Sequence, residues 1–312
     1  MSTQLVSMSP AISRLLGKSI DYAGLFPPAS LRLSEALEMF KRYLSGRESW
    51  IVSSIVLPVD RLTEAAGSLG DTPFRLTVIP RRTEDTNLWL DRLQEDCGHL
   101  RSFLAAHPQV AIQALEILLP KPADAGEIPS RIEELVPLVN GYRVFLELPP
   151  GDSSFREELE AMIAALEGHR LSLWGVKLRM GGTVPDAFPT TSRVAEVLAT
   201  VRDHRVPIKF TAGLHHPLRH RNNDLGVHVH GFINVLMAAM FAHACRLPPE
   251  NIETILSDER SKDFVFSGNV ARWLDLPIRT ELIEDLRRLV VGFGSCSVDE
   301  PLHDLRALGW VD

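Results

Sequence analysis

The sequence predicts a single (β/α)8 barrel, an α/β fold, spanning residues 1–312. Eight short β-branched or aromatic runs recur along the chain, with helical periodicity between most of them. Several of these runs are apolar at both odd and even positions, as strands of a helix-covered parallel sheet must be. No GxGxxG turn follows the first run, which weakens the runner-up, a doubly wound open sheet. Strand–helix alternation repeated eight times is the pattern of a closed barrel, and 312 residues suffice for one.

The first strand is expected over Ser19–Phe26 (SIDYAGLF), followed by helical spacing at Leu33–Leu44. Trp50–Leu57 precedes a helix at Asp60–Ala66, and Phe74–Ile79 precedes one at Glu84–Ala106. Val110–Leu119 leads to Ser130–Leu138, Tyr142–Leu148 to Phe155–Leu166, and Leu173–Met180 to Thr191–Asp203. Pro207–Leu214 and Leu289–Ser295 supply the seventh and eighth strands. Between these last two, residues 217–288 break the rhythm. That stretch holds an apolar helix at Gly231–Arg246, another at Pro249–Ser257 and a short FVF run at Phe264–Phe266, and it is expected to form an inserted helical lid.

Composition narrows the function. Lys and Arg number 33 against 40 Asp and Glu, a formal charge of −7, so a general nucleic-acid binder would work against its own field. At 45% hydrophobic the chain is no disordered acidic protein. Three widely spaced cysteines, Cys97, Cys245 and Cys296, argue for a reducing compartment rather than a disulfide scaffold. The start MSTQLVSMSP shows no export signal. The most apolar segment, Gly231–Leu247, is interrupted by Asn234, His243 and Arg246 and reads as a buried helix rather than a membrane span. A cytoplasmic protein with no membrane or nucleic-acid partner is expected. Self-association through that helix is an option if its outer face is exposed.

Barrel chemistry sits at the C-terminal ends of the strands and in the loops that follow. The polar residues there are Asp21, Arg81 and Arg82, Glu116, Glu147, Lys177 and Arg179, Lys209 and Thr211, His215 and His216, and Ser295 to Ser297. The sharpest signal is the lysine pair, Lys177 in GVKLRMGG and Lys209 in PIKFTAGLHH. Strand alternation puts Lys177 with Arg179 on one face, and Lys209 with Thr211, Gly213 and His215. A lysine crowded by a second cation can lose its proton and attack a carbonyl. Alternatively, each lysine neutralises an inner carboxylate such as Glu116 or Glu147, or the two together bind an anionic substrate.

The VKLRMGG and IKFTAGL segments resemble the two lysine strands of the class I deoxyribose-phosphate aldolase group, and GFGSCS resembles its phosphate-binding turn. The resemblance implies that Lys177 is the Schiff-base lysine and Lys209 the neighbour that lowers its pKa. It covers a short part of the chain, the long stretch before GFGSCS departs from it, and no counterpart of the family's proton-relay aspartate is visible.

Loops after the seventh and eighth strands often bind phosphate, which points to Thr211, Gly213, Gly292, Gly294, Ser295 and Ser297. The bland alternative is that Gly292 and Gly294 relieve crowding where the barrel closes. Cys296, in the same turn, reads better as a small core residue than as a nucleophile. Five histidines, His215, His216, His220, His228 and His230, crowd into sixteen residues. His215, His216, His228 and His230, with a carboxylate, suit Zn, Mn or Fe. Equally, they could serve as metal-free acid–base groups or as lid structure.

The expected function is lyase or isomerase chemistry on a small anionic, phosphorylated carbonyl compound. Lys177 and Lys209 are central to it, no cofactor is required, and His215, His216 or His230, or a carboxylate such as Asp21 or Glu147, moves the proton. The alternatives are a divalent-metal hydrolase or lyase using the histidines and a non-catalytic small-molecule-binding barrel.

Overall fold

A computed structural model describes residues 8–70, 73–83, 85–122, 124–149, 155–169 and 173–312. Eight parallel strands close a barrel: β1 (Ile20–Tyr22), β2 (Val52–Pro58), β3 (Phe74–Ile79), β4 (Val110–Leu118), β5 (Val144–Glu147), β6 (Trp174–Arg179), β7 (Ile208–Thr211) and, last in the chain, Val290–Ser295. Between β7 and that last strand lie five short strands. These are β8 (His220–Asn222), β9 (Val227–Val229), β10 (Phe264–Ser267), β11 (Val270–Trp273) and β12 (Leu276–Arg279), so the closing strand is β13. It pairs with β1 on one side and β7 on the other.

The helices follow in chain order: α1 (Pro10–Leu16), α2 (Leu33–Ser45), α3 (Leu62–Leu69), α4 (Thr86–Ala106), α5 (Ile128–Leu135), α6 (Phe155–Glu167), α7 (Thr191–Asp203), α8 (Phe232–Cys245), α9 (Pro249–Ser257), α10 (Thr280–Leu286) and α11 (Asp299–Ala307). Their starts are chemically marked. Ser9, Asp85 and Thr190 each accept a backbone N–H of the first turn, of Ile12, Asn87 and Arg193 respectively. The expected helix start at Glu84 lies outside the described residues.

Two expected strands end early. β1 stops at Tyr22 because Ala23 donates to Ser295 O and Phe26 turns back onto Ala23 O. β7 stops at Thr211 because Ala212 and Gly213 adopt positive φ, 60° and 70°. The apolar turns read like strand in sequence.

Residues 217–288, expected to be a helical lid, divide between the two ends of the barrel. The β8–β9 hairpin follows β7 on the C-terminal side. α8 is the barrel helix of that unit, lying against β13 and between α7, α9 and α10. Covered on every side, it is buried continuously from Phe232 to Ala242, which is why it is apolar all round. Its outer face is not exposed, so the expected self-association through it has no surface to use. The antiparallel sheet β10–β11–β12 and α10 pack on α1, at the N-terminal end. Among the described residues no helix is long and apolar enough to cross a membrane.

Candidate active site

Barrel interiors are usually filled by branched apolar side chains. Here seven strands send polar groups inward, and these form one chain of contacts. Thr77 Oγ1 on β3 lies 2.7 Å from Ser54 Oγ on β2, and Ser54 donates to Asp21 Oδ1 on β1 at 2.5 Å. Lys209 on β7 pairs with both Asp21 and Glu116. Glu116 on β4 reaches Lys177 on β6 at 2.7 Å, Lys177 meets Glu147 on β5 at 2.9 Å, and Glu147 accepts from Arg179 at 2.8 Å. Register supports this assembly, because Lys177 stands directly opposite Lys209 across β6 and β7. Gly175, two residues earlier on the same face, leaves room for the Phe145 ring, which a Cβ there would approach to 2.6 Å.

All five charged residues of the inner set, Asp21, Glu116, Glu147, Lys177 and Lys209, are at most 5% exposed. Burial alone would raise the Glu116 carboxyl, but Lys177 and Lys209 outweigh it and hold it down at about 2. Glu147 is likewise lowered against burial by Lys177 and Arg179. Burial pulls Lys209 down, while Asp21 and Glu116 more than compensate and raise it. Such a network contributes little net stability over an apolar replacement.

Lys177 is the lysine with an opening. A cavity of about 230 Å³ at the C-terminal ends of β3 to β6 is lined by Lys177, Glu116, Glu147, Trp89, Arg82 and Lys121, among others. A smaller one of about 70 Å³ also touches Lys177 and is bordered by Arg179, Arg193 and Phe155. Arg81 belongs to the first rim but is held by Asp96 at 2.6 Å and Glu95 at 2.8 Å. Arg82 and Lys121 are exposed. A wider cleft of about 660 Å³ beside α9 and Trp273 is lined by none of the strand-end residues and lies outside the barrel.

The histidines do not converge. His215 Nδ1 lies 3.4 Å from Glu300, and His216 Nδ1 lies 2.6 Å from Asp304, both on α11. Exposed His228 faces Glu259 at 3.3 Å, whereas fully buried His230 donates from Nε2 to Pro189 O at 2.7 Å. Among the described residues no group of three His, Cys, Asp or Glu could hold a metal ion, so the expected Zn, Mn or Fe ligand set of His215, His216, His228 and His230 is not assembled. Burial also lowers His230 to about 4 and lowers His215, leaving both rings neutral at pH 7.

The expected phosphate turn is also divided. Gly292 has φ 155° and packs on Ser19, where a Cβ would come within 2.3 Å of the Ser19 carbonyl oxygen. It therefore lets β13 close against β1, away from the mouth. Gly294 faces Thr211, and a Cβ there would lie 3.2 Å from Thr211 Oγ1. Ser295 Oγ donates to Ser297 O at 2.7 Å, and Ser297 Oγ accepts from Glu300 N at 3.2 Å. With Asp299 and Glu300 opening α11, this turn is already capped and acidic. Cys296 sits 3.8 Å from His215, and burial pushes its thiol up, away from a thiolate. All three cysteines are free.

Sequence reasoning offered Glu116 as a strand-end polar residue and a possible lysine partner, and it bridges both lysines. Ser54 and Thr77 were missed, because a lone hydroxyl in an apolar strand carries no signal of its own. Glu300 and Asp304 were missed because they lie more than eighty residues from the histidines they meet.

No family model matches the chain, and no curated protein does. A solved structure, deoxyribose phosphate aldolase from Aeropyrum pernix, reported as a unique tetramer, aligns over 99% of this chain and 100% of its own with a TM-score of 0.51 and 11% identity. In fold, then, the chain is similar to a deoxyribose phosphate aldolase: an eight-stranded parallel α/β barrel.

Proposed function

We propose that the protein is an aldolase-type lyase or isomerase that forms an imine between Lys177 and a small anionic carbonyl compound. The observation that carries this reading is that Lys177 alone of the two lysines borders the mouth cavities, with two carboxylates against its ammonium. The Lys177 ammonium releases its proton to solvent through the mouth cavity, against the hold of Glu116 and Glu147, which frees the amine. Attack on the carbonyl gives a carbinolamine, loss of water gives the iminium, and the iminium accepts the electron pair of the C–C or C–H bond that breaks next. Glu116, bridging Lys177 and Lys209, is the carboxylate placed to act as the proton relay in the later steps, where no counterpart of the family's aspartate is visible in the sequence. Lys209, held protonated by Asp21 and Glu116, stays an electrostatic partner.

Arg82 and Lys121 would receive the anionic end, phosphate included, better than the capped turn at Ser295–Ser297. Arg179 and Arg193 offer a second anion-facing side. By analogy with the tetrameric aldolase, assembly into a homo-oligomer belongs to the same proposal.

The test is borohydride trapping against a panel of phosphorylated aldehydes and ketones, read by mass spectrometry of the Lys177 peptide. A stable adduct on Lys177, lost in Lys177→Arg, supports the proposal. Turnover that survives both Lys177→Ala and Lys209→Ala would sink it. A second reading, a non-catalytic binding barrel, is favoured by the complete ion pairing of both lysines. Tight binding of a panel compound with no adduct and no turnover would select it.

A further inference from the structure

At the opposite, N-terminal end of the barrel, cations gather at or just before the starts of strands. Lys18 precedes β1, Arg75 is the second residue of β3, Arg143 immediately precedes β5, and Arg287 comes shortly before β13. Arg143 spans the floor of the barrel, since its Nη2 donates to Arg288 O at 3.4 Å, across from β5 to the β13 side. Arg287 donates to Val290 O at 2.6 Å and Gly17 O at 3.2 Å. Lys18 donates to Ser49 O, and Arg75 to the Gln113 side-chain oxygen at 3.4 Å. Every partner is neutral. Among the described residues none of these four cations has a carboxylate within 4.0 Å.

A second observation lies in the same place. Ser19, one alternation below inward-facing Asp21, is 1% exposed, and its hydroxyl has no hydrogen-bond partner. Gly292 packs directly against Ser19, where a Cβ would come within 2.3 Å of the Ser19 carbonyl oxygen.

Burial lowers both Arg143 and Arg287, the latter to about 10, with Asp21 opposing and Arg143 adding to the effect on Arg287. Burial, then Arg75, lowers Lys18. A floor with guanidinium groups, an ammonium and an idle hydroxyl is what an oxyanion needs, because planar arginine forks match its geometry and its charge removes their mutual repulsion.

We propose that this N-terminal floor is a binding site for a small oxyanion of the phosphate class, held by Arg143, Arg287 and Ser19 with Arg75 and Lys18 at the rim. The site stands apart from the mouth and does not depend on the chemistry proposed there. One phosphate per chain would bring to the floor the negative charge that the mid-barrel cations find in carboxylates.

Inorganic phosphate, free or as the head of a phosphorylated metabolite, has one shared chemistry, so inorganic phosphate is the probe. Calorimetric titration is run on the full chain carrying Arg82→Gln and Lys121→Gln, which removes the two exposed cations of the larger mouth cavity. The expected result is one site with a dissociation constant of about 1 mM or tighter. Adding Arg75→Gln or Arg143→Gln to that background should weaken it about tenfold or more. If Arg143→Gln does not fold, the exposed Arg75→Gln decides alone. No binding up to roughly 10 mM phosphate, or binding that ignores the floor substitutions, would overturn the proposal.

Discussion

The middle of the barrel and its N-terminal floor both gather cations, buried in the one and at most half-buried in the other, and they treat them differently. Half-way up, Lys177 and Lys209 are each set between two carboxylates, so the layer is neutralised by its own residues. Below, Arg143 and Arg287 donate to carbonyl oxygens, Arg143 also lies over the Phe145 ring at 5.0 Å, and among the described residues neither has a carboxylate within 4.0 Å. The contrast separates two uses of buried charge. A self-neutralised layer can shift a proton internally without importing an ion, which suits acid–base work. A layer left cationic is held for something that arrives.

The strongest way to break this contrast is to open the mid-barrel network. Glu116→Ala takes one of its two carboxylates from each buried ammonium at once and should cost about 3–5 kcal/mol, read from guanidinium unfolding midpoints. A cost below about 1 kcal/mol would mean the pairs are not formed in solution. Acid is the gentler version. The Glu116 carboxyl is held at about 2 against an ordinary 4.5, so the unfolded chain takes up its proton first as pH falls. The stability it contributes is complete above pH 4.5 and lost on the way to pH 2, on the order of 3 kcal/mol. Thermal melts that stay level from pH 5 to about 2.5 would contradict this sign.

Gly292→Ala tests the junction between the layers. The added methyl meets the Ser19 carbonyl oxygen at 2.3 Å on a φ of 155°, and should cost about 1–3 kcal/mol in the same denaturation assay. The smallest effect is expected at the floor. Arg143→Met removes a half-buried cation with no carboxylate to strand, so in phosphate-free buffer its stability should change by less than about 1 kcal/mol in either direction. A loss as large as that of Glu116→Ala would show that the floor is as tightly paired as the middle.

Much of the barrel was legible in the chain because parallel strands buried on both faces leave short apolar runs, and all eight stand out. The errors fall where turns are also apolar, at Ala23–Phe26 and Ala212–Leu214. There the chain leaves the sheet through backbone geometry rather than through polar residues. Lys177 and Lys209 were visible because a charge inside an apolar strand is rare. Their carboxylate partners Asp21, Glu116 and Glu147 were visible as candidates, but which one meets which lysine was not, since pairing depends on register around a closed barrel. The histidines mislead for the opposite reason. Closeness along the chain placed five within sixteen residues, yet the β8–β9 hairpin and α11 draw them to separate partners. Arg143 and Arg287 gave no signal, because an arginine just before a strand reads as a solvated end.

One feature of topology bears on how this protein is made. The strand at Val290–Ser295 is the last to leave the ribosome, and it seals two sheet edges at once, pairing Ile20 with Phe293 on one side and Ile208 with Val290 on the other. Until it is synthesised, β1 and β7 present rows of unpaired amides, open templates for another chain. Closure joins the two ends of the polypeptide, the slowest class of contact to form. A nascent or truncated chain lacking residues beyond 288 is therefore a sheet with two raw edges, prone to stick to its own copies.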